Sequence, residues 1–301
     1  MNGNRLTSQE KAGVLAGLGC YVFWGLCPLY WKLLDEVNPF EIIAHRIIWC
    51  FALTAMVCAV FKLGLPSLLC DKRARRYLAP AAVIITVNWS TYIYAIDIGH
   101  VIETSIGYYI NPLMTILFGI IVFHEKLSRA KLAALLLCAA GVAYFTLSYG
   151  QFPWISIVLA LTFAVYGVIK KKAGYPAVTA LAFENTVMVV PAIAFAVGLA
   201  VYTGEHAFCS NLDVAHGWLI TLLLVGSGLV TGLPLILFAK AANSIPLTLL
   251  GFIQYVSPTI TLLLGVFAFG EPFTLPHAVC FGFIWAGLAI VSVEAIKLQR
   301  S

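Results

Sequence analysis

Ten apolar stretches, each long enough to cross a bilayer, fill the chain almost from end to end: about 12–34, 38–61, 77–97, 102–123, 128–147, 153–170, 176–202, 215–239, 246–269 and 274–296. A hydrocarbon core of about 30 Å needs roughly 20 residues of helix at 1.5 Å each. One soluble core cannot hide ten such stretches, and 61 % hydrophobic against 10 % charged residues leaves too little polar surface to face water. The expected architecture is therefore all-α and integral to a lipid bilayer, with ten transmembrane helices joined by short connections. These leave no room for a soluble catalytic domain, and no low-complexity tail or long linker is present. The first stretch lacks the short core and small-residue cleavage site of a signal peptide, so it is expected to be retained. The eight cysteines are scattered, without a CxxC pair or a histidine at metal-ligand spacing, and read as small core residues. No metal, cofactor or catalytic residue is expected.

Charge sets the orientation. Of 18 Lys and Arg, all but Lys32 and Arg46 fall in segments that share a side with the N-terminus, from Arg5 and Lys11 through Lys72, Arg73, Lys126 and Lys170 to Lys297 and Arg300. Basic residues collect in cytoplasmic loops, so both termini are expected there. The net charge of +5 is thus a matter of topology. Its dispersal over several segments without a binding motif argues against a nucleic-acid partner.

The chain also repeats itself. INPLMTILFGIIVFHEK at 110–126 has a near copy in VSPTITLLLGVFAFGEP at 256–272, and Pro112 with Pro258, like Glu125 with Glu271, lies 146 residues apart. Tyr109 and Tyr255, Thr115 and Thr261, Gly119 and Gly265, and Gly141 and Gly287 keep the same offset. That offset contains five spans, an odd number, so the second copy must cross the membrane in the opposite sense. Two inverted five-helix repeats are expected, at 12–147 and 153–296. Inverted repeats are the mark of secondary transporters, whose substrate sites lie near the midplane between the halves.

Six segments carry a resemblance to a known family: YVFWGLCPLYWK at 21–32, AHRIIW at 44–49, NWSTYIYA at 88–95, ETSIGYYINPL at 103–113, VYGVIKKK at 165–172 and LGFIQYVSPT at 250–259. Along essentially its full length the chain resembles the RarD branch of the EamA family, in the drug/metabolite transporter superfamily. The resemblance implies a ten-helix inner-membrane permease built from two EamA units, with export as its direction. It carries an association, by name only, with chloramphenicol.

Ionisable groups inside a span are costly unless paired or hydrated, which makes Arg46 and Glu184 candidates for coupling or gating. Each lies eight residues into its span, from opposite faces, about 12 Å deep and so roughly 6 Å apart along the membrane normal. A midplane pairing of the two, directly or through the substrate, is expected, with a buried ion pair that merely fixes helix register as the other reading. His45, one turn after Glu41, is either a proton relay or a satisfied polar group near the outer interface. Glu103 is placed to favour the positive end of its helix, with attraction to Arg46 or a cationic substrate as the other reading.

Tyr21, Trp24 and Pro28 share one face of the first span, and Asn88 and Tyr92 one face of the third, so each set is either a cavity wall or ordinary packing. Tyr108, Tyr109 and Asn111, like Gln254 and Tyr255, precede a proline whose missing N–H frees a carbonyl in lipid. Bends are expected at Pro112 and Pro258, facing a transport path. Gly228 and Gly232 before Pro234 permit close helix contact and offer a further hinge. Trp31, Trp154 and Trp218 near span ends fit interfacial belts and are set aside.

The leading function is a secondary permease for a small-molecule substrate, with proton or ion coupling possible and oligomeric state open. No GxxxxGK[ST] loop is present to power transport by ATP. A membrane-embedded enzyme and a non-transporting receptor or scaffold are the alternatives, and neither requires an inverted repeat.

Overall fold

The computed structural model describes residues 7–98, 100–204, 206–210, 212–270 and 272–300; Arg5 of the charge pattern and Glu271, the repeat counterpart of Glu125, lie outside them. Among the described residues the regular elements are helices: α1 (Ser8–Trp31), α2 (Pro39–Val60), α3 (Leu65–Cys70), α4 (Lys72–Asp97), α5 (Val101–Phe123), α6 (Arg129–Tyr149), α7 (Trp154–Ala173), α8 (Ala177–Thr203), α9 (Ala215–Ser244), α10 (Leu247–Gln254), α11 (Val256–Ala268) and α12 (Leu275–Arg300), with one 3-10 turn at Lys32–Leu34. Ten segments are long and apolar enough to span a membrane, the ninth being α10 and α11 together. They coincide with the ten stretches expected from sequence, and the extra pieces are the short α3 and the 3-10 turn in connections.

Local chemistry fixes the helix ends. Thr7 and Glu10 form a reciprocal capping box that starts α1. Asn38 accepts the Phe40 N–H at 3.0 Å, with Pro39 next, to start α2, and Ser128 does the same for α6 through Lys131 N–H. Gly174 and Gly204, at φ 68° and 71°, stop α7 and α8 in the left-handed conformation that glycine adopts without strain.

The two prolines of the repeat behave differently. α5 runs through Pro112 without interruption, whereas the ninth span breaks between Gln254 and Val256. A proline ring collides with the carbonyl four residues earlier, and four before Pro258 is Gln254, where α10 ends. α9 likewise continues through Pro234 as one helix of 30 residues. The hinge expected at Pro112 and at Gly228–Pro234 is therefore not a break in this conformation. The glycines are contact points instead: a Cβ on Gly228 would lie 2.4 Å from the Trp49 carbonyl carbon, and one on Gly232 3.0 Å from Cys50 Sγ, so α2 rides directly on α9.

Helices pack mainly as α1 on α9 and α11, α2 on α8 and α9, α4 on α7 and α8, α5 on α7 and α10, and α6 on α12. These neighbour relations are unchanged when each spanning helix is exchanged for the one five spans later. The largest apolar core, with Cys20, Tyr21, Tyr166, Phe238 and Leu250, sits where the two sets of five meet. Val190, Phe195, Val197 and Val201 of α8 point outward, as they do when the surrounding solvent is lipid.

Candidate functional site

A cavity of about 270 Å³ lies between the two sets of helices. α1 contributes Tyr21, Trp24, Cys27, Pro28 and Trp31; α2 contributes Arg46; α4 contributes Asn88, Trp89 and Tyr92. α5 supplies residues from Thr104 to Asn111, and Leu159, Phe163, Val230, Thr231, Leu235, Gln254, Ser257 and Pro258 complete most of the far wall. It occupies the half of the bundle where α1 ends and α5 begins, reaching from Trp31 and Thr104 to about the level of Tyr21 and Asn111.

Of the nine residues expected to bind substrate, Tyr21, Trp24, Asn88, Tyr92, Tyr108, Tyr109, Asn111 and Gln254 line this cavity. Tyr255 does not: it is fully buried behind the wall, with its hydroxyl directed at the Tyr109 carbonyl oxygen at 3.4 Å. Asn88 is fixed by donating to Leu159 O and Thr162 Oγ1, both at 2.8 Å. Thr115 bridges the two repeats by donating to Asn111 O at 3.1 Å and Gln254 Oε1 at 3.2 Å. Buried polar groups normally find partners. Two lining residues keep a buried polar atom with no partner among the described residues, the Tyr21 hydroxyl and Asn111 Oδ1.

Arg46 is the one permanently charged residue of the lining among the described residues, and it does not meet Glu184. Its Nε donates to Thr231 Oγ1 at 2.9 Å, and its guanidinium carbon lies 4.9 Å from the Trp31 ring and 4.7 Å from the Trp89 ring. Each indole face attracts the cation by about 0.5–2 kcal/mol. Glu184 turns instead to α7, where it accepts from Lys170 Nζ at 2.6 Å and Tyr166 hydroxyl at 2.9 Å. The expected Arg46–Glu184 pair is thus corrected. Eight residues from each face is a statement of depth, and the rotation of each helix about its axis decides which neighbour a side chain meets. On α8 the next residue, Asn185, is the one that reaches α2, at Cys50 Sγ, 3.1 Å away.

His45 also lies away from the cavity. It accepts the Trp49 Nε1–H at 3.1 Å, packs its ring tilted against Phe208 with centroids 4.6 Å apart, and stands 3.8 Å from Glu41. Glu41 is already held by the N–H groups of Ala207 and Phe208 at 2.9–3.0 Å. Glu103 is likewise engaged, accepting the Ile155 N–H at 3.0 Å at the start of α7 and facing His100. It serves a helix end, though that of a neighbouring helix.

The opposite half of the bundle holds a set of paired charges. Beyond Lys170–Glu184, the Glu125 carboxylate accepts the N–H groups of Leu247 and Thr248 at 2.8 Å each, capping α10 at its positive end. Lys171 stands 3.5 Å from Glu125 and donates to Ile245 O at 2.6 Å.

Residues 11–147 and 153–293 each match the EamA-like transporter family. The chain belongs to that family. The uncharacterized transporter YojE of Bacillus subtilis is 38 % identical over 98 % of both chains. Protein RarD of Streptomyces exfoliatus is 39 % identical, covering 97 % of this chain and 92 % of its own, and protein RarD of Escherichia coli is 35 % identical over 97 % of each. They put this EamA transporter on the RarD branch. One protein of known crystal structure, 20 % identical, superposes with a TM-score of 0.73 over 95 % of this chain and 99 % of its own, a likeness of fold alone.

Sequence reasoning missed four residues of this EamA protein's interior. Trp31 was assigned to the interfacial belt, Lys170 to the basic face, and Thr231 and Trp89 drew no notice. Arg46 itself was the available signal, since a buried guanidinium demands π faces or acceptors at its own depth.

Proposed function

We propose that the chain is a secondary transporter that carries small organic molecules across the cell membrane by alternating access. Its five-helix halves, 12–147 and 153–296, are inverted relative to one another, and both termini face the cytoplasm. The observation that carries this reading is one cavity walled by both halves, reaching one face of the bundle and closed toward the other by Glu125, Lys171 and the Lys170–Glu184 pair. With the termini inside, this is the outward-directed form. Export is the direction favoured by the family likeness, and the same likeness to the drug/metabolite transporter superfamily favours a substrate of metabolite or drug type.

Ion coupling falls to Glu184. It is buried, it exchanges charge with a single lysine, and it stands on the closed side between the cavity and the cytoplasm. Arg46 is assigned to the substrate and His45 to the outer surface. Pro258, at the break of the ninth span, and its counterpart Pro112 are the points where the halves bend in opposite states, with Gly228, Gly232 and Pro234 letting α9 slide on α2.

Purified protein in proteoliposomes, loaded with a panel of labelled organic anions, cations and neutral compounds, tests the reading with and without an imposed proton gradient. Saturable flux without ATP is expected for at least one class. Absence of flux for every class sinks the transport reading, and flux that persists unchanged without any gradient sinks the coupling.

A further inference from the structure

Arg46 holds its charge against π faces and a hydroxyl, with no carboxylate in ion-pair distance among the described residues. Guanidinium carries five N–H donors in a plane. Nε is used on Thr231, and among the described residues no hydrogen bond from a terminal N–H of Arg46 is found, so these groups are left for an in-plane acceptor. A planar fork of this kind fits a carboxylate with two parallel hydrogen bonds.

The rest of the lining narrows the ligand. Among the described residues of the lining there is no Asp or Glu, so a ligand ammonium meets no counter-charge there, and a dianion meets the one permanent positive charge of Arg46. Tyr21, Trp24, Tyr92, Tyr108 and Phe163 supply aromatic walls. A volume of about 270 Å³ lies just under the roughly 300–1,000 Å³ typical of drug-sized ligands. On the transport reading above, we infer that the cargo is a small organic monocarboxylate with an aromatic or apolar body, its carboxylate seated on the edge of Arg46 between Trp31 and Trp89. Neutral drugs and zwitterionic amino acids are poorer fits to the same walls.

The test uses the full chain in lipid nanodiscs and four probes with one carbon frame: hydrocinnamate, phenylalanine, phenylpropylamine and hydrocinnamide. Binding is read by tryptophan fluorescence, because Trp31 and Trp89 flank the seat. Hydrocinnamate is expected to give a saturable change at a concentration at least about tenfold lower than any of the other three, the ratio over the amine and the amide set by one charge-assisted bidentate contact and that over phenylalanine by an ammonium left without a counter-charge. Arg46→Gln removes that preference. Arg46→Lys keeps the charge but not the fork, and Thr231→Val loosens the fork without touching charge; both weaken hydrocinnamate several-fold, so the test stands even if Arg46→Gln does not fold. Equal binding of the acid and the amide, or unchanged acid binding in Arg46→Lys, overturns the seat. Flux assays separate the two ideas: flux of neutral or cationic probes with no preference for the acid overturns the carboxylate inference and leaves transport standing. Tight acid binding without flux upholds the seat and counts against transport.

Discussion

Lys170 Nζ lies 2.6 Å from Glu184 Oε1 across α7 and α8, both side chains almost wholly buried and neither of them lining the cavity. The pair occupies the closed side of the molecule, where a charge without its partner has no water to turn to. Removing one member by Lys170→Met is expected to destabilise the protein by about 3–5 kcal/mol, because it strands the other charge. The double change Lys170→Met with Glu184→Met is expected to restore most of that loss. Thermal unfolding of the three forms in detergent measures it, and proteoliposome flux of the double variant is expected to persist while losing its response to a pH gradient.

Glu125 ties the end of α5 to the start of α10 through two backbone N–H groups. Glu125→Gln keeps the size but loses the charge-assisted bonds, worth about 1.5–3 kcal/mol. The closed side should open more often. Labelling by an impermeant maleimide reports it, at a cysteine placed at the fully buried Leu250, in a background lacking the exposed Cys70 and Cys209. The rate is expected to rise at least about tenfold over the parent, in keeping with the lower end of that range. An unchanged rate would show that Glu125 is not a latch.

Gly228 allows α9 to touch the backbone of α2 at Trp49, one turn from the Arg46–Thr231 contact. A methyl group at 2.4 Å from the carbonyl carbon cannot be absorbed by a side-chain rotation. Gly228→Ala is expected to cost about 1–3 kcal/mol of stability, as overpacking does, and to weaken ligand binding by parting Thr231 from Arg46. Gly198, where a Cβ meets nothing within 4 Å, provides the control: Gly198→Ala should leave both unchanged.

Tyr21 buries a hydroxyl without a partner among the described residues. Tyr21→Phe is therefore expected to leave thermal stability the same or raise it by up to about 1 kcal/mol, since no bond is lost and a desolvated group is removed. Lower transport at undiminished stability would mark the hydroxyl as a ligand contact.

Outside the spans, Asp71 accepts from the Tyr175 hydroxyl and from the Arg73 N–H at 2.8 Å, and these bonds hold its carboxyl below the usual carboxylate range. A carboxylate depressed in the folded state adds stability that is complete above the ordinary aspartate value of about 3.9 and fades as pH falls through the lowered one. Tyr175→Phe is expected to speed amide exchange in α3 and the start of α4 at neutral pH, with the difference from the parent shrinking in strong acid.

Much of this molecule is legible in its residues because lipid imposes one severe rule, that a segment crossing it must satisfy its own backbone. Length and apolarity therefore locate ten spans, whereas proline chemistry predicts a bend equally at Pro112 and Pro258 and only the second shows a break. Eight of the nine expected binding residues sit on the cavity because polar groups beside aromatics and prolines have few other places to go. What stayed hidden was rotation about helix axes. A residue count places Arg46 and Glu184 at matching depths but says nothing of which faces they occupy, and α7 and α9 intervene with Lys170 and Thr231. Lys170 was hidden for a related reason: in a run of three lysines at a helix end, one points inward, and only packing says which.

The unequal halves carry a last consequence. α5 is whole where its counterpart is snapped into α10 and α11, although both contain the same proline at the same place in the repeat. If the two segments trade shapes as the molecule turns over, the missing conformer is already drawn within this one. Laying the second half's geometry on the first half's sequence, and the reverse, yields its blueprint, with α5 parting near Tyr109 and the ninth span straightened into a single rod.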